Sequence, residues 1–348
     1  MANPSRYSPL TKLPIQLPII DISNTRPETG KAMIDAATKY GFLYVDSVTS
    51  DFSDEDVESA FAMARKFFAS PHEEKVQVKI GSNIRIIKRY LGREVILRRR
   101  FSHEYRAFNF GEFKNDKAQQ PLPSSLVPHE AEISRFMNLC RKTCDRILTL
   151  LALGLGIPSD WFTTRHDSSK GPSGVTFRFL YYPSIQSPST STFQQNIDVR
   201  AGAHSDYGSI TLLFQRDGQP GSNPNSNGGM GTCSHPTPAG VHDDKLPADS
   251  GQHRRLAQLL DERAVEVHRS SSLEQQSGSS HGDDRYSMAY FCHPLDDTEL
   301  VPVPSKLVEQ HRDAIAGDGP NADKIMTARD HLASRLAATY GGNPNEYK

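Results

Sequence analysis

His204 and Asp206, separated by one serine, are the residues whose types and spacing most directly suggest chemistry. On an extended strand, side chains at i and i+2 point to the same face. An imidazole and a carboxylate arranged in this way can both reach one metal ion. A second histidine from a neighbouring strand would complete a two-His-one-carboxylate face and leave coordination positions open for reactants. The same H-x-D pattern also describes many surface polar pairs, so its meaning depends on its surroundings. Between Phe214 and Tyr286 stand His235, His242, His253, His268 and His281.

Such a face needs strands to hold it, and the chain supplies strand-like runs around it. Val175–Tyr182 is rich in β-formers and closed by Pro183, and Ser209–Phe214 and Tyr286–Phe291 have the same character. Short strands broken by Gly, Pro and Asp turns point to an antiparallel sandwich or jelly roll. The first 155 residues read differently. Leu17–Ser23 and Phe42–Val45 are short strands around a helix from Pro27 to about Tyr40, which Gly41 stops. A second helix opens at Ser53, carries Val57, Phe61, Ala64, Phe67 and Phe68 at helical spacing, and ends before Pro71. A long helix spans about His129 to Leu153, with Ile133, Phe136, Leu139, Ile147, Leu150 and Leu151 on one stripe, and a closing helix covers about Thr327 to Tyr340. The segment from about Ser222 to Asp283 has almost no β-pattern and opens and closes on Ser-, Asn- and Gly-rich runs.

Composition narrows the function classes. Lys and Arg total 40 and Asp and Glu 41, a formal net charge of -1, which gives no long-range reason to expect nucleic acid or an anionic membrane as partner. The run Arg98–Arg100 reads as a solvated face in a neutral protein. The N-terminus has no apolar signal core, and no stretch approaches the roughly 18 apolar residues of a membrane span. Four cysteines in 348 residues do not form a disulfide framework, and Cys140 and Cys144 lie one turn apart on an apolar helix face. These features suit a soluble protein of the reducing cytoplasm. Gly278-Ser-Ser-His-Gly282 matches a hydrolase pattern but lacks the strand and helix that motif requires.

The ordered motifs LPIIDIS (Leu17–Ser23), KYGFLYV (Lys39–Val45), FRFLYYP (Phe177–Pro183), AHSDYGSITLL (Ala203–Leu213) and DRYSMAYFCHP (Asp284–Pro294) resemble the Fe(II)/2-oxoglutarate-dependent oxygenases of the isopenicillin N synthase-like group. The resemblance runs from about Leu17 to Leu213 and from Asp284 to about Gly341. It implies an α+β fold: a double-stranded β-helix (jelly roll) core, an N-terminal helical and mixed region over 1–155, a catalytic domain over 156–348, and a long bracing helix. It implies that His204 and Asp206 ligate Fe(II). It also implies that Arg285, Ser287 and Tyr182 hold the far carboxylate of 2-oxoglutarate, a task that suits the planar two-pronged guanidinium of Arg. The implied reaction consumes O2 and 2-oxoglutarate, releases succinate and CO2, and oxidises a small molecule, in keeping with secondary-metabolite biosynthesis. The stretch Ile84–Arg89 departs from the Asn-Arg-Gly turn usual in the family.

A third ligand of the family type, a His in a string such as TNG followed by HRV, is absent. Synonymous codons exist for Arg254–Ser271 whose second-base frame spells GDSLSYWTNGLLKSTVHR, and Pro238–His253 likewise permits RREYTTTNSPPILVNI. The region about 222–283 thus reads as frame-shifted from near Gly221. In the restored frame, the ligand His straddles the codons of Ser270 and Ser271. In the literal chain His268 lies nearest that place and is the candidate third ligand. Two alternatives stay open: a catalytically dead descendant with a disrupted iron site, and an Fe(II) oxidase that does not use 2-oxoglutarate. Arg285 and Ser287 argue against the second.

Overall fold

Ser53 precedes Asp54-Glu55-Asp56, and in the computed structural model its hydroxyl accepts from the Asp56 amide while the Asp56 carboxylate accepts from the Ser53 amide at 2.9 Å. This reciprocal cap satisfies amides that a helix start leaves unpaired, and the three acids suit the positive helix end. The structure describes residues 17–46, 51–78, 94–96, 106–184, 206–216, 231–232, 284–315, 325–340 and 343–346.

In chain order the elements are β1 (Ile19–Ile20), α1 (Pro27–Tyr40), β2 (Leu43–Val45), α2 (Asp54–Ala69), α3 (His72–Gln77), β3 (Glu94–Ile96), β4 (Arg106–Phe110), β5 (Phe113–Lys114), β6 (Lys117–Ala118), α4 (Glu130–Gly154), β7 (Thr176–Tyr182), β8 (Ile210–Gln215), β9 (Gly231–Thr232), β10 (Arg285–Cys292), α5 (Lys306–Ile315) and α6 (Ala328–Tyr340). Pro27 opens α1 where its missing N–H costs nothing, and Gly41 ends it at φ 74, a conformation that favours glycine. Ser23 lies beyond β1, which is shorter than its apolar run suggested.

Eight strands form one sheet in the order β1-β2-β9-β8-β10-β7-β4-β3. Its centre is antiparallel: β10 lies between β7 and β8, and β4 flanks β7. The period of two divides the central strands cleanly. One face carries Phe108 and Phe110 of β4, Phe177 and Phe179 of β7, Leu212 and Phe214 of β8, and Met288, Tyr290 and Cys292 of β10, all buried. Helices α2 and α4 cover it. Phe67 packs on Phe108 (ring centroids 4.6 Å apart), Phe68 on Tyr181 (5.4 Å), and Phe136 on both Phe177 and Phe214 (5.2 Å each). One apolar cluster therefore crosses the 155/156 boundary, with Phe67 and Phe136 on one side and Phe177 and Phe214 on the other.

Helix α1 crosses α4 backbone to backbone. A methyl at Gly30 would come within 2.2 Å of the Leu150 carbonyl oxygen, and one at Gly154 within 2.4 Å of the Gly30 carbonyl. Leu139, expected on the buried stripe of α4, is only half-buried, while Met137, Cys140 and Cys144 take core positions. Cys144 of α4 also hydrogen-bonds Cys292 of β10, and burial pushes the thiols of Cys140 and Cys144 well above their ordinary range. Among the described residues no helix is long and apolar enough to cross a membrane.

Candidate active site

The second face of the sheet is built differently. Register places Arg285 opposite Tyr182, Ser287 between Leu180 and Gln215, Ala289 between Arg178 and Leu213, and Phe291 between Thr176 and Thr211. From β4, Ala107 and Asn109 stand beside Leu180 and Arg178. Arg285 and Ser287, two residues apart on β10, share this face, so their spacing and the pleat alone direct both inward.

The structure brings three expected residues together at one end. The Arg285 guanidinium lies 5.3 Å from the Tyr182 ring centre, and Ser287 is 2% exposed in the next row. The Ser184 amide donates to the Asp284 carboxylate at 2.8 Å, tying the end of β7 to the start of β10 and fixing Tyr182 beside Arg285. A guanidinium, a hydroxyl and a phenol on one wall form a donor set suited to a carboxylate.

Asp206 lies elsewhere on this wall, in the turn before β8. The Thr211 hydroxyl donates to its Oδ2 at 2.8 Å, and Thr211 pairs with Phe291 in the far row. The turn is held from below. The Ser209 amide donates to the Cys292 carbonyl (2.8 Å), and Nε2 of His166 lies 2.9 Å from the Ser209 hydroxyl. Gly208 sits so close that a methyl there would come within 2.4 Å of the Cys292 carbonyl oxygen and 3.1 Å of the His293 ring. Tyr207 hydrogen-bonds Thr339 of α6, and the Arg335 guanidinium lies 5.1 Å from its ring centre. Burial lowers His166 to about 4 and His293 to about 3, so both rings under the turn are neutral at pH 7.

His204 and His268 lie outside the described residues, as does the whole frame-shifted stretch apart from Gly231 and Thr232. Among the described residues no group of three or more His, Cys, Asp or Glu side chains could hold a metal ion. Of the expected iron ligands, the described residues supply only Asp206, held by Thr211. The donor set for the keto acid fits its carboxylate. Sequence reasoning missed Thr211, His166, His293 and the pair Arg178–Asn109. Thr211 was legible in principle, since the strand alternation sets it on the same face as Leu213, Ala289 and Ser287.

Known proteins agree with this architecture. Residues 17–125 match the family described as the N-terminal region of non-haem dioxygenase in morphine synthesis. A UPF0676 protein of Schizosaccharomyces pombe is 32% identical over 58% of this chain, which spans 61% of that protein's length. A 2-oxoglutarate-dependent dioxygenase of Aspergillus rugulosus is 25% identical over 89% of this chain and 92% of its own. The fold also matches a full-length Neurospora crassa protein solved in complex with alpha-KG (TM-score 0.67, 21% identity, covering 92% and 96% of the two chains), which has also been solved with thymine. Residues 17–125 thus carry the N-terminal region of the non-haem dioxygenases, and the chain shares the fold of the solved structures it matches.

Proposed function

We propose that the protein is a 2-oxoglutarate-dependent oxygenase that hydroxylates or oxidises a small molecule, with its active site on the second face of a jelly-roll sheet. The observation that carries this reading is the row in which Arg285 faces Tyr182 with Ser287 beside it on the same wall. In this reading Arg285 grips the far carboxylate of 2-oxoglutarate, and Ser287 and Tyr182 add hydroxyl donors that fix its rotation. His204 and Asp206 hold Fe(II), with Thr211 keeping the Asp206 carboxylate aimed. Bound Fe(II) would supply O2 activation coupled to decarboxylation of the keto acid. The balance is substrate C–H, 2-oxoglutarate and O2 giving substrate C–OH, succinate and CO2. The protein residues position the reactants. Relatives named as fungal 2-oxoglutarate-dependent dioxygenases support a place in secondary metabolism. The buried free thiols Cys140, Cys144 and Cys292 suit a reducing cytoplasmic setting.

The test is calorimetric titration of the full chain with 2-oxoglutarate and with Fe(II) under anaerobic conditions, followed by succinate detection by mass spectrometry. Binding of both, with succinate release lost in His204→Ala and Asp206→Ala, is expected. Binding of 2-oxoglutarate without Fe(II) would favour a descendant with a disrupted iron site. That reading has its own support in the absence of a family-type third histidine. Binding of Fe(II) without 2-oxoglutarate would favour an oxidase that needs no keto acid. Binding of neither would reject the proposal.

A further inference from the structure

The second face of the sheet carries another guanidinium, and the expected machinery has no use for it. Arg178 lies on β7 opposite Ala289, four residues before Tyr182. Its Nε donates to the Asn109 side-chain oxygen at 2.7 Å, and its guanidinium carbon stands 4.9 Å from the Phe291 ring centre. Asn109, 1% exposed, is itself fixed: its carbonyl accepts from Gln120 Nε2 at 3.2 Å, and the Gln120 side-chain oxygen accepts from the Gly111 amide at 2.8 Å. The half-buried guanidinium is therefore aimed from one side by a neutral amide and supported from another by an aromatic ring. Among the described residues no carboxylate pairs with it. Of the five N–H donors of an arginine only one is used on Asn109. A guanidinium partly withdrawn from water with donors to spare is poised for an anion, and two parallel hydrogen bonds to a carboxylate would satisfy it.

That anion is not the far carboxylate of 2-oxoglutarate. Arg285 leans on Tyr182 in the first row of the wall, whereas Arg178 leans on Phe291 in the last. Ala289, the strand partner of Arg178, is four residues from Arg285 on β10, about 13 Å of extended strand, longer than a five-carbon diacid. Phe291 pairs directly with Thr211, the residue that holds Asp206. Arg178 thus stands one row from the Phe291–Thr211 pair, and its neighbours there and in the adjoining rows are Ala107, Leu180, Leu213, Ala289 and Phe291.

We infer that Arg178 is a specificity-determining residue that binds a carboxylate on the primary substrate, whose remaining body is apolar. This rests on the oxygenase reading above and narrows its substrate class to amphiphilic carboxylic acids. A guanidinium clamp at one end and apolar contact along the rest would hold such an acid in one orientation, presenting a chosen C–H beside Asp206.

The experiment compares phenylacetate, 3-phenylpropionate, 4-phenylbutyrate, octanoate and decanoate with their methyl esters. Binding to the full-length protein is measured by calorimetry with 2-oxoglutarate present. Wild type, Arg178→Gln, Arg178→Lys and Arg285→Gln are compared, and circular dichroism checks that each is folded. The expected result is that at least one acid binds tenfold or more tightly than its ester, and that Arg178→Gln erases this difference. Arg178→Lys should restore part of it. Affinity for 2-oxoglutarate should stay within threefold in Arg178→Gln and collapse in Arg285→Gln. The proposal is overturned if no acid outbinds its ester, or if the preference survives in Arg178→Gln. It is also overturned if Arg178→Gln weakens 2-oxoglutarate as Arg285→Gln does, which would assign Arg178 to the keto acid. If wild type does not bind 2-oxoglutarate at all, the oxygenase reading fails first, and the acid-ester comparison still decides the role of Arg178.

Discussion

The two faces of the central sheet are made by alternate residues of the same strands, yet they differ in kind. On the helix side, Phe177, Phe179, Phe214 and Met288 are sealed against α2 and α4. On the other side, Arg178, Arg285, Ser287 and Thr211 share the wall with Ala107, Leu180, Leu213, Ala289 and the rings of Tyr182 and Phe291. The contrast shows how a strand separates tasks: one residue's shift along β10 moves from a position that holds the domain together to one on the face proposed to bind. Substitutions on the covered face should therefore act on stability, and those on the other face on ligand affinity.

The largest effect that can test this contrast is Phe177→Ala. The ring is fully buried and touches those of Phe110 and Phe136, so its removal leaves a cavity. Denaturant unfolding should register a loss of about 3–5 kcal/mol. Arg285→Gln should do the reverse, with the unfolding midpoint nearly unchanged and the 2-oxoglutarate dissociation constant raised about 100-fold, or about 3 kcal/mol. A drop in stability comparable to that of Phe177→Ala would erase the distinction between the faces.

The third effect lies beneath the Asp206 turn. Burial, opposed by the hydrogen bond to the Phe162 carbonyl and aided by the Arg165 charge, leaves His166 titrating at about 4, and burial with the His166 and His331 rings leaves His293 at about 3. Both rings titrate near 6.5 in an unfolded chain. Below pH 6.5 the unfolded chain binds protons that the folded one refuses, so stability is complete above that pH. It falls steadily on acidification until the folded rings themselves protonate near pH 4 and 3. For His166 alone the loss should reach about 2 kcal/mol by pH 5. Unfolding curves of wild type and His166→Gln across pH 5–7.5 should converge on acidification, and parallel curves would remove His166 from the account. The smallest expected effect is Ser53→Ala, about 1 kcal/mol from the lost cap on α2, with no change in 2-oxoglutarate binding.

Much of the covered face was legible in the sequence because strong periodicity and punctuation coincide there. Pro27 and Gly41 frame α1, Ser53 caps α2, and the runs around Phe177, Leu212 and Tyr290 match β7, β8 and β10 to within a residue or so. Strand β4 was missed because Arg106–Phe110 lies beside the charged run His103–Arg106 and alternates over only five residues. Helix α5 was missed because the apolar residues of Lys306–Ile315, Leu307, Val308, Ala314 and Ile315, stand only at its two ends with a polar stretch between. At the site, the motif residues Arg285, Ser287 and Tyr182 were nameable from sequence, but their juxtaposition depends on β7–β10 register, which a single sequence does not encode locally. Arg178 and Asn109 were invisible for the same reason: 69 residues separate them, and only the β4–β7 pairing makes them neighbours.

Cys140, Cys144 and Cys292 offer a way to time the molecule. All three are buried where α4 meets β10, and the first two are also kept protonated by their surroundings. A maleimide in solution can react with them only when helix and strand part, so its rate of attachment reports how often that seam opens. Mass spectrometry of the tagged peptides would read it separately at Cys140, Cys144 and Cys292. Ligand binding on the opposite face should slow that clock only insofar as the two sides of the sheet open together.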